Sequence, residues 1–203
     1  INKDSRKQAF DFPCPVEPYL GSSFVNPCDS LLYVYEPYVE DISSSAPTMA
    51  AYDIEANTWT VKSEDTLPIR FHHHSAYLDE VRKKFVFFGG FGNMIYNGDF
   101  YSCDLNNCQW KKDTLPSGDR IYPRYFTSLG YSSSEDALYV FGGMGNESGE
   151  QIVGRNYFYD LYRLDLNTGV NEKIWGKDIV LDWKEENMVP VRNMILHDGG
   201  FYT

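Results

Sequence analysis

The chain has 203 residues, 42% of them hydrophobic and 23% charged, with a formal net charge of −11. Its length suffices to bury a core, but the acidity, with no basic cluster longer than Arg82-Lys83-Lys84, excludes a phosphate-backbone partner. No apolar run approaches the roughly 18–20 residues of a membrane helix, and an aromatic content of 16% points to strands.

Residues 1–18 read as an N-terminal segment ahead of the regular pattern. The chain opens on Ile1 with no signal-peptide pattern, which reads as a processed or cut beginning. Cys14 and Cys28 form one local cysteine pair. From about residue 19 the sequence repeats. Leu32-Tyr33-Val34-Tyr35-Glu36-Pro37, Phe85-Val86-Phe87-Phe88-Gly89-Gly90 and Leu138-Tyr139-Val140-Phe141-Gly142-Gly143 align without gaps at steps of 53. A fixed period of about 50 residues built from short strands predicts a propeller of four-stranded blades. The Gly-Gly ends a strand where there is little room for Cβ atoms and the backbone needs freedom. The first copy departs from this with Glu36-Pro37.

Each apolar strand is followed by a long loop, residues 39–47, 91–98 and 144–158. Next come hairpin segments with turn chemistry. Asp53 to Trp59 and Asp104 to Trp110 both span six residues, and Asn57 is matched with the second Asn of the later copy, Asn107. Asp165-Leu166-Asn167-Thr168-Gly169 opens the third copy, with Trp175 four residues late. These Trp residues are expected on outer strands, over the gap to the next blade. Cys103 and Cys108 flank the second turn, where facing Cβ atoms lie within about 5.5 Å. Disulfides Cys103–Cys108 and Cys14–Cys28 are therefore expected, and with them an oxidising, extracytoplasmic location, periplasmic or secreted, with a cytoplasmic one as the alternative. Arg70, Arg124 and Arg192 recur after Pro-containing segments and mark crossings into new blades. The blades so delimited are residues 19–69, 70–123 and 124–188, with a fourth beginning at 189–203. Val180 to Met188 is the best helical stretch, and it is poor. Asn146-Glu147-Ser148 fits the glycosylation acceptor pattern.

Phe88-Gly89-Gly90, Asp99-Phe100-Tyr101 and Trp110, together with Phe141-Gly142-Gly143 and Asp160-Leu161-Tyr162, resemble the kelch repeat over nearly the whole chain. The expected fold is thus all-β: a kelch-type β-propeller of about three four-stranded antiparallel blades plus the start of a fourth. Such a ring is incomplete and implies a missing chain segment or an oligomer to close it. The resemblance also implies that loops and inter-blade Arg segments crowd around one mouth of a channel. The ligand-binding candidates are then Tyr38, Arg70, His72, Phe91, Met94, Tyr96, Arg124, Arg155, Tyr157 and Phe158, an aromatic rim suited to a protein or glycan.

Phe71-His72-His73-His74-Ser75 offers one further chemistry. On a strand, His72 and His74 share a face and are a candidate copper or zinc pair; the ordinary reading is a hydrogen-bonded inner strand with no cofactor. The kelch family includes copper radical oxidases using His, Tyr and a Tyr crosslinked to Cys, but no Cys here matches a position beside a ligand Tyr. The functional reading is a binding module for a protein or glycan ligand, the sensor or recognition part of a longer extracytoplasmic protein. The alternatives are part of a kelch-type enzyme, a copper-dependent carbohydrate oxidase or a sugar isomerase/mutarotase, and an intracellular scaffold or adaptor.

Overall fold

The computed structural model describes residues 13–38, 46–67, 71–177, 194–197 and 200–202. Arg70, Arg192, residues 39–45 and the stretch 180–188 thus lie outside the described residues. The chain divides into two compact units, residues 1–66 and 67–203. Among the described residues the regular structure is strand, apart from one 3-10 turn at Gln151–Val153. No helix among them is long and apolar enough to cross a membrane.

The first unit is an antiparallel sheet in the order β1 (Ser22–Asn26), β2 (Leu31–Tyr35), β3 (Met49–Asp53), β4 (Thr58–Ser63). Burial falls on the inner strands, with Tyr33 and Tyr35 on β2 and Met49, Ala50 and Ala51 on β3, while three of the six residues of β4 are exposed. Here the structure explains Glu36, which stands where later copies have Gly. Its buried carboxylate accepts the N–H groups of Tyr19 (3.0 Å), Leu20 (2.5 Å) and Gly21 (2.7 Å) through Oε2, and that of Tyr38 (3.3 Å) through Oε1. A buried charge held by several donors is satisfied, and it ties the chain ahead of β1 to the end of β2.

The second unit begins with β5 (Ser75–Asp79), β6 (Lys84–Phe88), the short hairpin β7 (Phe91–Gly92) and β8 (Ile95–Tyr96), β9 (Phe100–Asp104) and β10 (Trp110–Lys112). The sheet order is β10-β9-β6-β5. Next come β11 (Ser117–Gly118), β12 (Arg124–Tyr125), β13 (Ser128–Ser132), β14 (Ala137–Phe141), β15 (Met144–Gly145), β16 (Asn156–Tyr157), β17 (Asp160–Asp165) and β18 (Val170–Gly176). The third sheet has five strands, in the order β11-β18-β17-β14-β13, because β11 joins its edge parallel to β18. Strands β12, β15 and β16 form a separate small sheet, and β19 (Ile195–His197) with β20 (Gly200–Tyr202) a final hairpin.

The backbone repeats as strictly as the sequence. Ser30, Lys83 and Asp136 adopt left-handed φ values of 59°, 51° and 47° at steps of 53 residues. In the outer hairpins the left-handed residue stands four after the Asp: Asn57, Cys108 and Gly169. In each, the Asp Oδ1 accepts backbone N–H groups two or three residues on. The counterpart of Asn57 is therefore Cys108, not Asn107, because φ at that position must be positive.

This corrects the expected disulfides. Register places Trp110, not Cys108, opposite Cys103. The Cys108 N–H donates to Asp104 O (2.6 Å), and the two thiols lie against the carbonyls of Asp104 and Leu105. No disulfide joins the four cysteines in the structure, where Cys14 is half-buried and Cys28 exposed.

The second and third sheets share a core of Val86, Phe88 and Phe100 with Leu129, Leu138, Val140, Tyr162 and Leu164. Burying aliphatic and aromatic side chains contributes roughly 1.5–3 kcal/mol each. At one end of that core Arg82 donates to Asp79 (3.0 Å) and to both oxygens of Asp136 (2.9 and 2.6 Å). Nearer the loops, Ser75 Oγ donates to Thr127 O, and Gly90 N to Arg124 O at 2.8 Å. The β19–β20 hairpin packs on the far face of the third sheet through Tyr139–Phe201 (4.5 Å between rings) and Met194 N to Leu129 O (2.8 Å).

Candidate functional site

The loops of the second unit converge because their backbones are steered there. Gly89 and Gly90 take φ of 76° and 97°, Gly142 and Gly143 of 61° and 103°. A Cβ on Gly90 would stand 2.9 Å from His72 O, so the close approach of the incoming segment, as well as the positive φ, demands glycine. His73 and Phe126, 53 residues apart, have φ of 54° and 52°. Both break the chain just before β5 and β13, and Phe126 N donates to His73 O at 3.1 Å. His72 pairs through both backbone groups with Phe91, at 2.7 and 2.9 Å.

These bends assemble an aromatic cluster. Phe91 lies 4.7 Å from Tyr125, Tyr96 5.5 Å from Tyr125, and the His73 ring 4.2 Å from Phe126. Buried Met144 and half-buried Tyr157 complete it. Offset and tilted rings at these separations attract beyond the area they bury. Arg155 Nη1 donates to the Tyr125 hydroxyl at 3.0 Å, and its guanidinium stands 5.9 Å over Tyr157. That hydrogen bond raises the Arg155 pKa further above its ordinary value, and burial pushes the Tyr96 phenol up. The cluster is thus a packed aromatic core beneath the loops, with Tyr96, Tyr125 and Met144 buried, the half-buried rings of Phe91, Phe126 and Tyr157 around them and the Arg155 guanidinium at its margin.

Beside it runs an apolar ridge. The β7–β8 turn has Asn93 and Met94 at φ of 50° and 64°, a mirror-image hairpin turn in which Gly ordinarily takes the second place. Met there carries strain, and its side chain projects into solvent, 64% exposed. Gln151 N donates to Met94 O (3.0 Å) and Tyr96 N to Gly149 O (2.7 Å), locking this turn to the 3-10 turn of the next repeat. Ile95, Ile152 and Val153 join Met94 at 53%, 84% and 65% exposure. Asn146 braces the loop: Oδ1 accepts Gly149 N and Ser148 Oγ, and Nδ2 donates to Glu150 O and Gly154 O. That amide is buried and saturated, so the Asn146-Glu147-Ser148 pattern is a structural brace rather than a glycosylation acceptor in the folded chain.

Of the residues expected at the site, the structure brings together His72, Phe91, Met94, Tyr96, Arg155 and Tyr157. Tyr38 is half-buried in the first unit, its N–H on Glu36. Arg124 and Phe158 are corrected. Arg124 is completely buried, with Nη1 and Nη2 on the Asp160 carboxylate (2.6 and 3.1 Å), and it also donates to the carbonyls of Gly142 and Tyr122. Phe158 stacks on that guanidinium at 4.0 Å. The pair holds the third repeat together, leaving nothing of Arg124 for a ligand. The His72/His74 pair is also corrected. His73 breaks the alternation, so His72 stacks on Phe91 at 5.2 Å while buried His74 packs on Phe87 with Nδ1 at Phe71 O. Among the described residues no group of three or more His, Cys, Asp or Glu could hold a metal ion.

Sequence reasoning missed Tyr125, Phe126, Met144, Ile95, Ile152 and Val153. The period held one signal: Phe126 lies 53 residues after His73. Of the ridge only Met94 was legible; Ile95, Ile152 and Val153 had no signal, since their exposure depends on hydrogen bonds between loops of different repeats. The family model of the KLHDC2/KLHL20/DRC7 Kelch-repeats domain matches residues 23–200. No curated protein matches the chain.

Proposed function

Since this chain belongs to the Kelch-repeat family, whose domains generally mediate protein–protein binding, we propose that it binds a protein partner on the loop face of its second and third repeats. The ridge of Met94, Ile95, Ile152 and Val153 is the observation that carries this reading. Scattered exposed apolar residues are ordinary, whereas a contiguous set held rigidly beside a polar margin marks an interaction surface. Its loops are fixed by backbone hydrogen bonds and the Asn146 brace, so little ordering entropy is lost on binding. The half-buried rings of Phe91, Phe126 and Tyr157 supply anchors, and Arg155 supplies a charge for orientation.

Selection of a displayed random-peptide library against the chain tests this reading. Peptides so obtained are expected to contain apolar or aromatic residues and to lose at least tenfold in affinity for the Ile152→Asp, Val153→Asp double variant. Peptides that bind wild type and variant equally would overturn the reading.

A further inference from the structure

The β7–β8 turn calls for a residue that the chain does not supply. Its second central place has φ of 64°, where glycine is unstrained and any other side chain is not, yet Met94 stands there. The turn is fixed through its backbone: Met94 O accepts Gln151 N at 3.0 Å, and Ile95 bridges to Glu150. The thioether is therefore held out at the tip of the ridge, 64% exposed, with Ile95, Ile152 and Val153. Backbone strain of this kind persists at ligand clamps and switch regions.

Methionine differs from the three aliphatic residues of the ridge in carrying an oxidisable sulfur. The other methionines among the described residues are closed to solvent: Met49 is 0%, Met144 6% and Met194 7% exposed. A soluble oxidant thus meets the thioether of Met94 ahead of theirs. A sulfoxide at this tip sets an S–O dipole where a partner buries apolar atoms, and an acceptor buried without a donor is destabilising. The fold itself is spared, because the turn is held by backbone groups that the oxidation does not alter.

We propose that Met94 is a redox modification site, and that its oxidation by a peroxide releases the protein partner from the ridge. The sulfur lone pair attacks one peroxide oxygen, and the S–O bond forms as the O–O bond breaks. The departing hydroxide takes the proton of the newly bound oxygen and leaves as water, so sulfur loses the two electrons that the peroxide gains. A thiol-dependent sulfoxide reductase reverses the step: the oxygen leaves as water while two thiols become a disulfide. The inference rests on the loop-face reading, which supplies the partner.

The affinity of a selected peptide, measured before and after hydrogen peroxide, decides the matter, with oxidised fractions read by peptide mass mapping. Met94 is expected to oxidise roughly tenfold or more faster than Met49, Met144 and Met194. Peptide affinity should fall in step with it by roughly tenfold or more, while the urea midpoint of the chain stays unchanged. Methionine sulfoxide reductases A and B with dithiothreitol should restore binding, and dithiothreitol alone, which repairs only oxidised cysteines, should not. Met94→Leu is compared only with itself, and peroxide should change its affinity less than about twofold. Undiminished affinity with Met94 oxidised, a lowered urea midpoint, recovery under dithiothreitol alone, or an equal loss in Met94→Leu overturns the proposal; the first three need no variant. A peptide that loses affinity for the Ile152→Asp, Val153→Asp variant yet ignores oxidation sinks the switch alone. Peptides that ignore the double variant sink the loop-face reading and the switch with it.

Discussion

Asp160→Asn is the sharpest test of how the third repeat is held together. Arg124 has no exposed surface, and the Asp160 side chain is nearly as deep. Replacing the carboxylate by an amide removes the counter-charge and sets an NH₂ group against a guanidinium. The carbonyls of Gly142 and Tyr122 continue to accept from Arg124, but neither carries charge. Breaking one side of a buried pair costs about 3–5 kcal/mol, a large share of the roughly 5–15 kcal/mol that keeps a domain folded. At a urea slope of about 2 kcal/mol/M, the unfolding midpoint should fall by roughly 2 M. The double variant Arg124→Met, Asp160→Leu should recover much of this, because it leaves no uncompensated charge. A single-variant shift below roughly 0.3 M, or a double variant worse than the single, would refute the reasoning.

Other consequences are equally open to measurement. Glu36→Ala leaves the N–H groups of Tyr19, Leu20 and Gly21 without their acceptor and should cost about 2–3 kcal/mol, with hydrogen exchange accelerated at those three amides. Gly90→Ala meets both a positive φ and His72 O; it should cost about 2 kcal/mol or more by urea denaturation. The hydrogen bond from Arg82 holds the Asp136 carboxyl below its ordinary pKa. Its contribution is therefore complete above about pH 4 and is lost as pH falls through the folded-state value. Asp136→Asn should flatten the acid limb of the stability curve. Tyr101 and Tyr162 are pushed up to about 12, chiefly by burial. Their contribution is complete below the ordinary phenol value of about 10 and lost between there and pH 12, visible as delayed phenolate absorbance; ionisation of all tyrosines near pH 10 would contradict this.

The sequence displayed most of the strand architecture because hydrophobic period and turn chemistry are local. Leu32 to Tyr35, Phe85 to Phe88 and Leu138 to Phe141 are strands as expected, at the spacing expected. Misreadings arose where an identity stood in for a conformation. Asn107 looks like Asn57, but the left-handed place belongs to Cys108. Trp175 looks like a late Trp110, but the pairing gives that place to Asn171. Arg124 looked like a ligand group because nothing local reveals that Asp160, 36 residues on, neutralises it. His72, Phe91, Tyr96, Arg155 and Tyr157 were legible as loop aromatics and charge. The ridge of Ile95, Ile152 and Val153 was not, since only hydrogen bonds between neighbouring repeats create it.

Hydrogen-exchange footprinting of a selected peptide on the wild-type chain tests the central claim most directly. Protection is expected at residues 91–96, 125–126 and 149–157, with the outer strands unchanged. Protection confined to 110–112 or 172–176 would contradict the account, because those residues belong to the outer strands of the second and third sheets.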